Sequence, residues 1–228
     1  VQAGTSVALV GHTGSGKTTL IKLLSRFYEP ISGQILIDGI DYRERSLQWL
    51  HKKLGYVLQS PQLFSTTIKE NIRYGRLDAT DEEVLEAAKN VGLDPFVKTL
   101  DKGYDTHVGE GGNLLSIGQK QLISFARAII ADPRLLILDE ATSSIDSESE
   151  LLIQDATKVL LKNRTSFIVA HRLSTIVEAD VIVMLEMGKI LEIGDHQTLI
   201  NKRGAYYNLY KNQFLREQGL IEDWLDES

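Results

Sequence analysis

Short apolar runs recur along this chain, set apart by polar, helix-like stretches. Val7–Val10, Gln34–Ile37, Gly55–Leu58, Leu135–Leu138, Ser166–Ala170 and Val181–Leu185 read as strands. Several are unbroken β-branched or Leu-rich runs without polar alternation, the mark of strands covered on both faces of a parallel sheet. Helical periodicity separates most of them, which predicts an α/β fold. Val181–Leu185 and Lys189–Ile193 flank Glu186-Met187-Gly188 and predict a terminal hairpin. Between Ser60 and Pro133 the pattern turns mostly helical. Asp81-Glu82-Glu83 ahead of Val84-Leu85 has the acidic first turn of a helix start, and a second long helix begins near Gly118 and runs to Ile130. The expected organisation is a sheet-bearing core over 1–59 and 134–228, interrupted by a helical segment over 60–133. The stretch Glu222 to Glu227 reads as a solvated acidic tail, and no internal repeat or low-complexity linker is evident.

Composition narrows the partners. With 228 residues, 43% hydrophobic and 25% charged, the chain is an ordinary soluble globular sequence able to bury a sizeable core. A net charge of −6 argues against nucleic acid as a main partner, since phosphate backbones want a basic surface. The absence of cysteine excludes disulfides, thiolate catalysis and Cys-ligated zinc. No run approaches the roughly 18 apolar residues of a membrane helix, and the N-terminus lacks the regions of a signal peptide. Val1 stands just ahead of the first predicted strand, so the chain reads as a piece of something longer.

The richest chemistry lies in Gly11-His12-Thr13-Gly14-Ser15-Gly16-Lys17-Thr18. The pattern G-x-x-x-x-G-K-[ST] builds a loop whose backbone N–H groups cradle phosphates, with Lys17 reaching the terminal phosphates and the Thr18 hydroxyl suited to Mg²⁺. It sits between the strand Val7–Val10 and a helical pattern opening at Thr19-Leu20-Ile21, so a helix N-terminus would face the anion. Leu135–Leu138 runs into Asp139 and Glu140. Asp139 suits a water-mediated hold on Mg²⁺, and Glu140 suits orienting a water against a γ-phosphate. Gln59 follows Gly55–Leu58 and His171 follows Ser166–Ala170. All four features thus fall where strands end, the edge at which open α/β sheets bind ligands.

Taken together, these residues resemble the nucleotide-binding domain of an ATP-binding cassette (ABC) exporter. The loop at Gly11 matches Walker A, the strand ending at Asp139 matches Walker B, Gln59 the Q-loop and His171 the switch histidine. Ser143-Ser144-Ile145-Asp146 is similar to the D-loop, and Leu115-Ser116-Ile117-Gly118-Gln119 to the signature motif, usually Leu-Ser-Gly-Gly-Gln. Thr106-His107-Val108-Gly109-Glu110-Gly111, Phe64 to Ile72 and Gly194-Asp195-His196 resemble exporter segments. The resemblance implies an α/β P-loop NTPase (RecA-like) core with a helical insertion, ATP and Mg²⁺ as ligands, and Thr18, Gln59 and Asp139 around the metal. It implies catalysis by Glu140 and His171, and Ser116, Gly118 and Gln119 facing a partner's nucleotide in a head-to-tail pair. It further implies membrane-domain coupling helices near Gln59 and Glu110, a place on the cytoplasmic face of a membrane for a fragment itself soluble, and an upstream aromatic stacking on adenine.

Ile117 departs from the signature. Glycine there permits φ > 0 and close approach, whereas a β-branched residue adds bulk and disfavours that conformation. With Lys17, Thr18, Asp139, Glu140 and His171 intact, the expectation is one subunit of a heterodimeric exporter whose partner carries an intact signature. The alternatives are a homodimer that tolerates Ile117, a DNA-repair type cassette ATPase, a binding-only regulatory cassette and a small GTPase. A repair cassette would place a long coiled coil between Walker A and the signature. Here the interval is short and without sustained heptads. An intact Glu140 and His171 argue against a binding-only cassette, and no guanine-specifying Asn-Lys-x-Asp motif is present.

Overall fold

A computed structural model describes residues 1–139, 147–170 and 172–217. The elements run β1 (Ser6–Val10), α1 (Lys17–Leu24), β2 (Leu36–Ile37), β3 (Ile40–Asp41), α2 (Leu47–His51), β4 (Leu54–Val57), α3 (Ile68–Arg73), α4 (Asp81–Asn90), α5 (Asp94–Val97) and α6 (Ile117–Ala131). They continue with β5 (Leu135–Asp139), α7 (Ser147–Leu161), β6 (Thr165–Val169), α8 (Leu173–Glu178), β7 (Val181–Glu186), β8 (Lys189–Gly194), α9 (His196–Lys202) and α10 (Ala205–Glu217). Six strands form one sheet in the order β4-β5-β6-β1-β7-β8. All neighbours are parallel except the β7–β8 hairpin at the edge. The α/β fold expected from periodicity is therefore observed, and so is the terminal hairpin.

The unbroken apolar runs are explained by burial on both faces. Val7 and Leu9 of β1 and Ile137 of β5 pack with Ile21 of α1 on one side. Their alternates Ala8, Val10, Leu136 and Leu138 face a larger cluster that takes in Ile72 of α3, Val84 of α4, Ile123 and Phe125 of α6, and Leu160 of α7. Helices thus cover both faces, as a parallel sheet requires. The stretch between β4 and β5 carries four helices, whose apolar faces join the same core as the sheet. Helix α4 begins at the acidic run predicted for it, with Thr80 and Glu83 forming a capping box. Among the described residues no helix is long and apolar enough to cross a membrane.

One expected strand is corrected. Only Leu36–Ile37 of the Gln34–Ile37 run is extended, and it pairs antiparallel with Ile40–Asp41 in a separate two-stranded sheet. The cause is Asp38-Gly39, both at positive φ (53° and 78°), which turn the chain back as a tight hairpin before it can enter the parallel sheet. The expected acidic tail, the expected D-loop at Ser143 to Asp146, and Glu140 and His171 all lie outside the described residues.

Phe125 is almost wholly buried and joins α6 to the sheet. Phe125→Ala should cost about 3–5 kcal/mol of stability, read as a shift in the midpoint of urea denaturation.

Candidate phosphate-binding site

Glycine is required in the turn from β1 into α1 for two separate reasons. Gly11 has φ +147°, and a Cβ there would stand 2.2 Å from the Leu185 carbonyl oxygen. Gly14 and Gly16 have φ +79° and +105°, a region L-residues with side chains rarely adopt. Gly16 is the N-cap of α1 and makes no side-chain cap, and the first turn of that helix holds no acidic residue. Its leading amides therefore face outward beside the loop with the positive end of the helix dipole behind them.

Lys17 draws the loop together. Its side chain is buried, and its ammonium donates to the Gly11 carbonyl at 2.6 Å, the His12 carbonyl at 3.0 Å and Ser15 Oγ at 3.4 Å. Burial pushes its pKa below the ordinary lysine value, and the Asp139 carboxylate pulls it partly back. Asp139 is the last residue of β5. Burial also raises the Tyr56 hydroxyl, with Asp139 adding to the shift. Gln59, just past β4, is exposed. The Walker-type loop, Gln59 and Asp139 thus share the carboxyl edge of the sheet. Thr18 and Thr19 are exposed in the first turn of α1, and His12, Thr13 and Gly14 form the open rim.

Sequence reasoning missed a prop beneath this loop. The β7–β8 turn, Met187-Gly188, runs at positive φ (47° and 74°), and the Gly188 N–H donates to the Ser15 carbonyl at 2.9 Å. A Cβ on Gly16 would come within 3.3 Å of Gly188 Cα. The hairpin was legible as a hairpin, but its contact with a loop far upstream leaves no local signal.

The expected signature residues stand elsewhere. Ser116 is the N-cap of α6, and its Oγ accepts from the Gln119 N–H while Gln119 Oε1 accepts from the Ser116 N–H. This capping box uses two of the helix's leading donors and leaves the Ile117 and Gly118 amides without intrahelical partners. The bonds of Ser116 and Gln119 are to each other, not to the phosphate loop. Ile117 is the first helical residue and is not among the positive-φ positions. Glycine's freedom at φ > 0 is therefore not called on at this position, and the bulk of Ile117, 48% exposed, is what distinguishes it from glycine.

The oxygen donors of Thr18, Gln59 and Asp139 suit Mg²⁺, a hard cation that is commonly held by one or two carboxylates together with substrate phosphates. Among the described residues no group of three or more His, Cys, Asp or Glu side chains could hold a metal by itself, so phosphate oxygens would complete such a shell.

Fold and loop define a nucleotide-binding α/β domain of the phosphate-loop class. A family model described as ABC transporter matches residues 1–143. The chain is 55% identical over 94% of its length to an uncharacterised ABC transporter ATP-binding protein of Bacillus subtilis, YfiC, covering 35% of that protein. It is 54% identical over 91% of its length to a fatty acid ABC transporter ATP-binding/permease protein of Mycobacterium bovis, covering 33% of it. With an ATP-dependent lipid A-core flippase of Legionella pneumophila the identity is 53% over 93% of this chain and 36% of the flippase. The chain belongs to the ABC transporter family, as an ATP-binding domain, and spans about a third of the length of these relatives.

Two glycine variants separate space from strain. Gly14→Ala meets nothing within 4 Å and should cost only the left-handed penalty, about 1–2 kcal/mol, with nucleotide binding retained. Gly11→Ala meets backbone and should abolish binding with a larger loss of stability, as read by nucleotide titration and thermal melting.

Proposed function

We propose that this chain binds and hydrolyses ATP to drive export of a substrate across a membrane. The observation that carries the proposal is the Lys17 ammonium, buried beneath a glycine-built loop and aligned with Asp139 on one sheet edge. The family membership and relatives named as exporters and flippases support it. The core is assigned to 1–59 and 134–228, and the helical subdomain to 60–133.

The loop amides from Gly11 to Thr19 and the Lys17 ammonium take the phosphates, offsetting their charge in a site walled by backbone. Thr18, Gln59 and Asp139 would hold Mg²⁺, which when bound neutralises phosphate charge. Glu140, following Asp139 in the sequence, orients the attacking water and accepts its proton, and His171 contacts the γ-phosphate. Ser116, Gly118 and Gln119 serve the nucleotide of a second domain. The Ser116 hydroxyl accepts within its cap and keeps its hydrogen to donate, and the Ile117 and Gly118 amides point out of the helix end. Pairing of two such domains around ATP, and release after hydrolysis, would move membrane helices docked near Gln59 and Glu110.

Lys17→Ala should weaken ATP binding by about 10–100-fold in a fluorescence or calorimetric titration. Glu140→Gln should leave binding intact and lower turnover by at least about 100-fold. ATP binding unaffected by the first change, or turnover unaffected by the second, contradicts the roles given.

The bulk of Ile117 favours a heterodimer in which this chain offers a weak signature and its partner an intact one. On that reading Ile117→Gly leaves the ATPase rate of the purified chain alone unchanged within about twofold. A large gain without any partner would instead point to a homodimer.

A further inference from the structure

The geometry points to Arg127 as a positioning residue that locks the loop following Gln59 to the helix that begins at Ser116. This rests on the ATP-hydrolysing reading and adds to it a group that touches neither nucleotide nor metal. Arg127 lies on α6, and its guanidinium spans to Asn71 of α3 and to Gln62 in the segment between β4 and α3. Its Nε donates to the Asn71 carbonyl at 2.9 Å, Nη2 to Asn71 Oδ1 at 2.9 Å and Nη1 to the Gln62 carbonyl at 3.1 Å. The rings of Phe64 and Tyr74, themselves 4.4 Å apart, lie 5.5 and 5.6 Å from its centre. The partners shown are carbonyl oxygens and aromatic rings, so the planar fork and not simple charge pairing sets the geometry.

Asn71 passes the restraint on. It is fully buried; its Oδ1 also accepts from the Phe64 N–H, and its Nδ2 donates to the Phe64 and Thr67 carbonyls. The adjoining backbone then pairs with the segment ahead of Glu110, the Ile68 N–H donating to Thr106 and the Val108 N–H to Thr66, each at 3.0 Å. Gly75 brings the end of α3 hard against α6, where a Cβ would stand 2.1 Å from the Arg127 carbonyl oxygen. Three segments are thereby tied as one body: the loop after Gln59, the loop at Glu110, and the helix whose first turn holds Ser116 to Gln119. Displacing any one moves the others, so nucleotide contact at Gln59 is felt at the end of α6 that would serve the partner's site.

The test uses the full transporter polypeptide containing this chain, with Arg127→Met and Arg127→Lys. Arg127→Met should lower kcat by about tenfold or more, with the ATP dissociation constant within about twofold of wild type. Arg127→Lys keeps charge and ring contact but not the fork, and should fall between while melting like wild type. Hydrogen exchange at the Phe64 and Val108 amides should quicken in Arg127→Met, with β1 amides unchanged. Wild-type kcat in Arg127→Lys, or unchanged exchange at Phe64 and Val108, overturns the inference. So does a parallel loss of binding, turnover and melting temperature, which marks a merely structural role. Wild-type protein without ATP turnover refutes the hydrolytic reading instead, while the exchange measurement still decides the mechanical link.

Discussion

Burying the Lys17 ammonium under its own loop is the constraint to which the rest of this edge answers. A buried cation is costly unless partnered, and its partners here are the carbonyls at the loop's start. The backbone between β1 and α1 bends so that Gly11, Gly14 and Gly16 take positive-φ conformations that residues with side chains rarely adopt. Two of its carbonyls, those of Gly11 and His12, are turned toward the lysine. Asp139 reinforces the arrangement by favouring the charged lysine, and the Gly188 N–H holds the Ser15 carbonyl from beneath. The parallel sheet supplies the setting, because it delivers β1, β4 and β5 to the same edge.

A second body of structure is built on α6. Helix α6 starts at a capping box and is buried at Ile123, Phe125 and Ala126. Through Arg127 and Asn71 it grips the chain that leaves the sheet edge after β4. Polar contacts, and not only shared core, thus join α6 to α3 and to the chain after β4. On the proposed reading, the start of α6 serves the nucleotide of a second domain, and these contacts carry its movement to the chain after Gln59.

What the sequence made legible followed from local pattern. The two-faced strands, the Gly11–Thr18 motif, the acidic start of α4 and the β7–β8 hairpin each carry their signal within a few residues. The failures are equally physical. Gln34–Ile37 is apolar enough for a sheet strand, but the two residues after it, Asp38-Gly39, impose a hairpin that outweighs hydrophobicity. At Ile117 the contrast with glycine rested on φ as well as bulk, yet the residue opens α6 without positive φ, and only the bulk remains. Arg127, Asn71 and Gly188 gave no warning, since their importance comes from partners distant in sequence. The roles of Glu140 and His171 rest on their places in the motifs.

On the proposed reading, the loop around Lys17 holds the phosphates of ATP. A crystal structure of the chain with Mg²⁺ and a non-hydrolysable ATP analogue tests it most directly. The triphosphate should lie within Gly11–Thr19, bonded by loop amides and Lys17 Nζ, with Asp139 on the metal side. A nucleotide seated elsewhere, or phosphates without contact to Lys17, would rule out a phosphate-holding role for this loop.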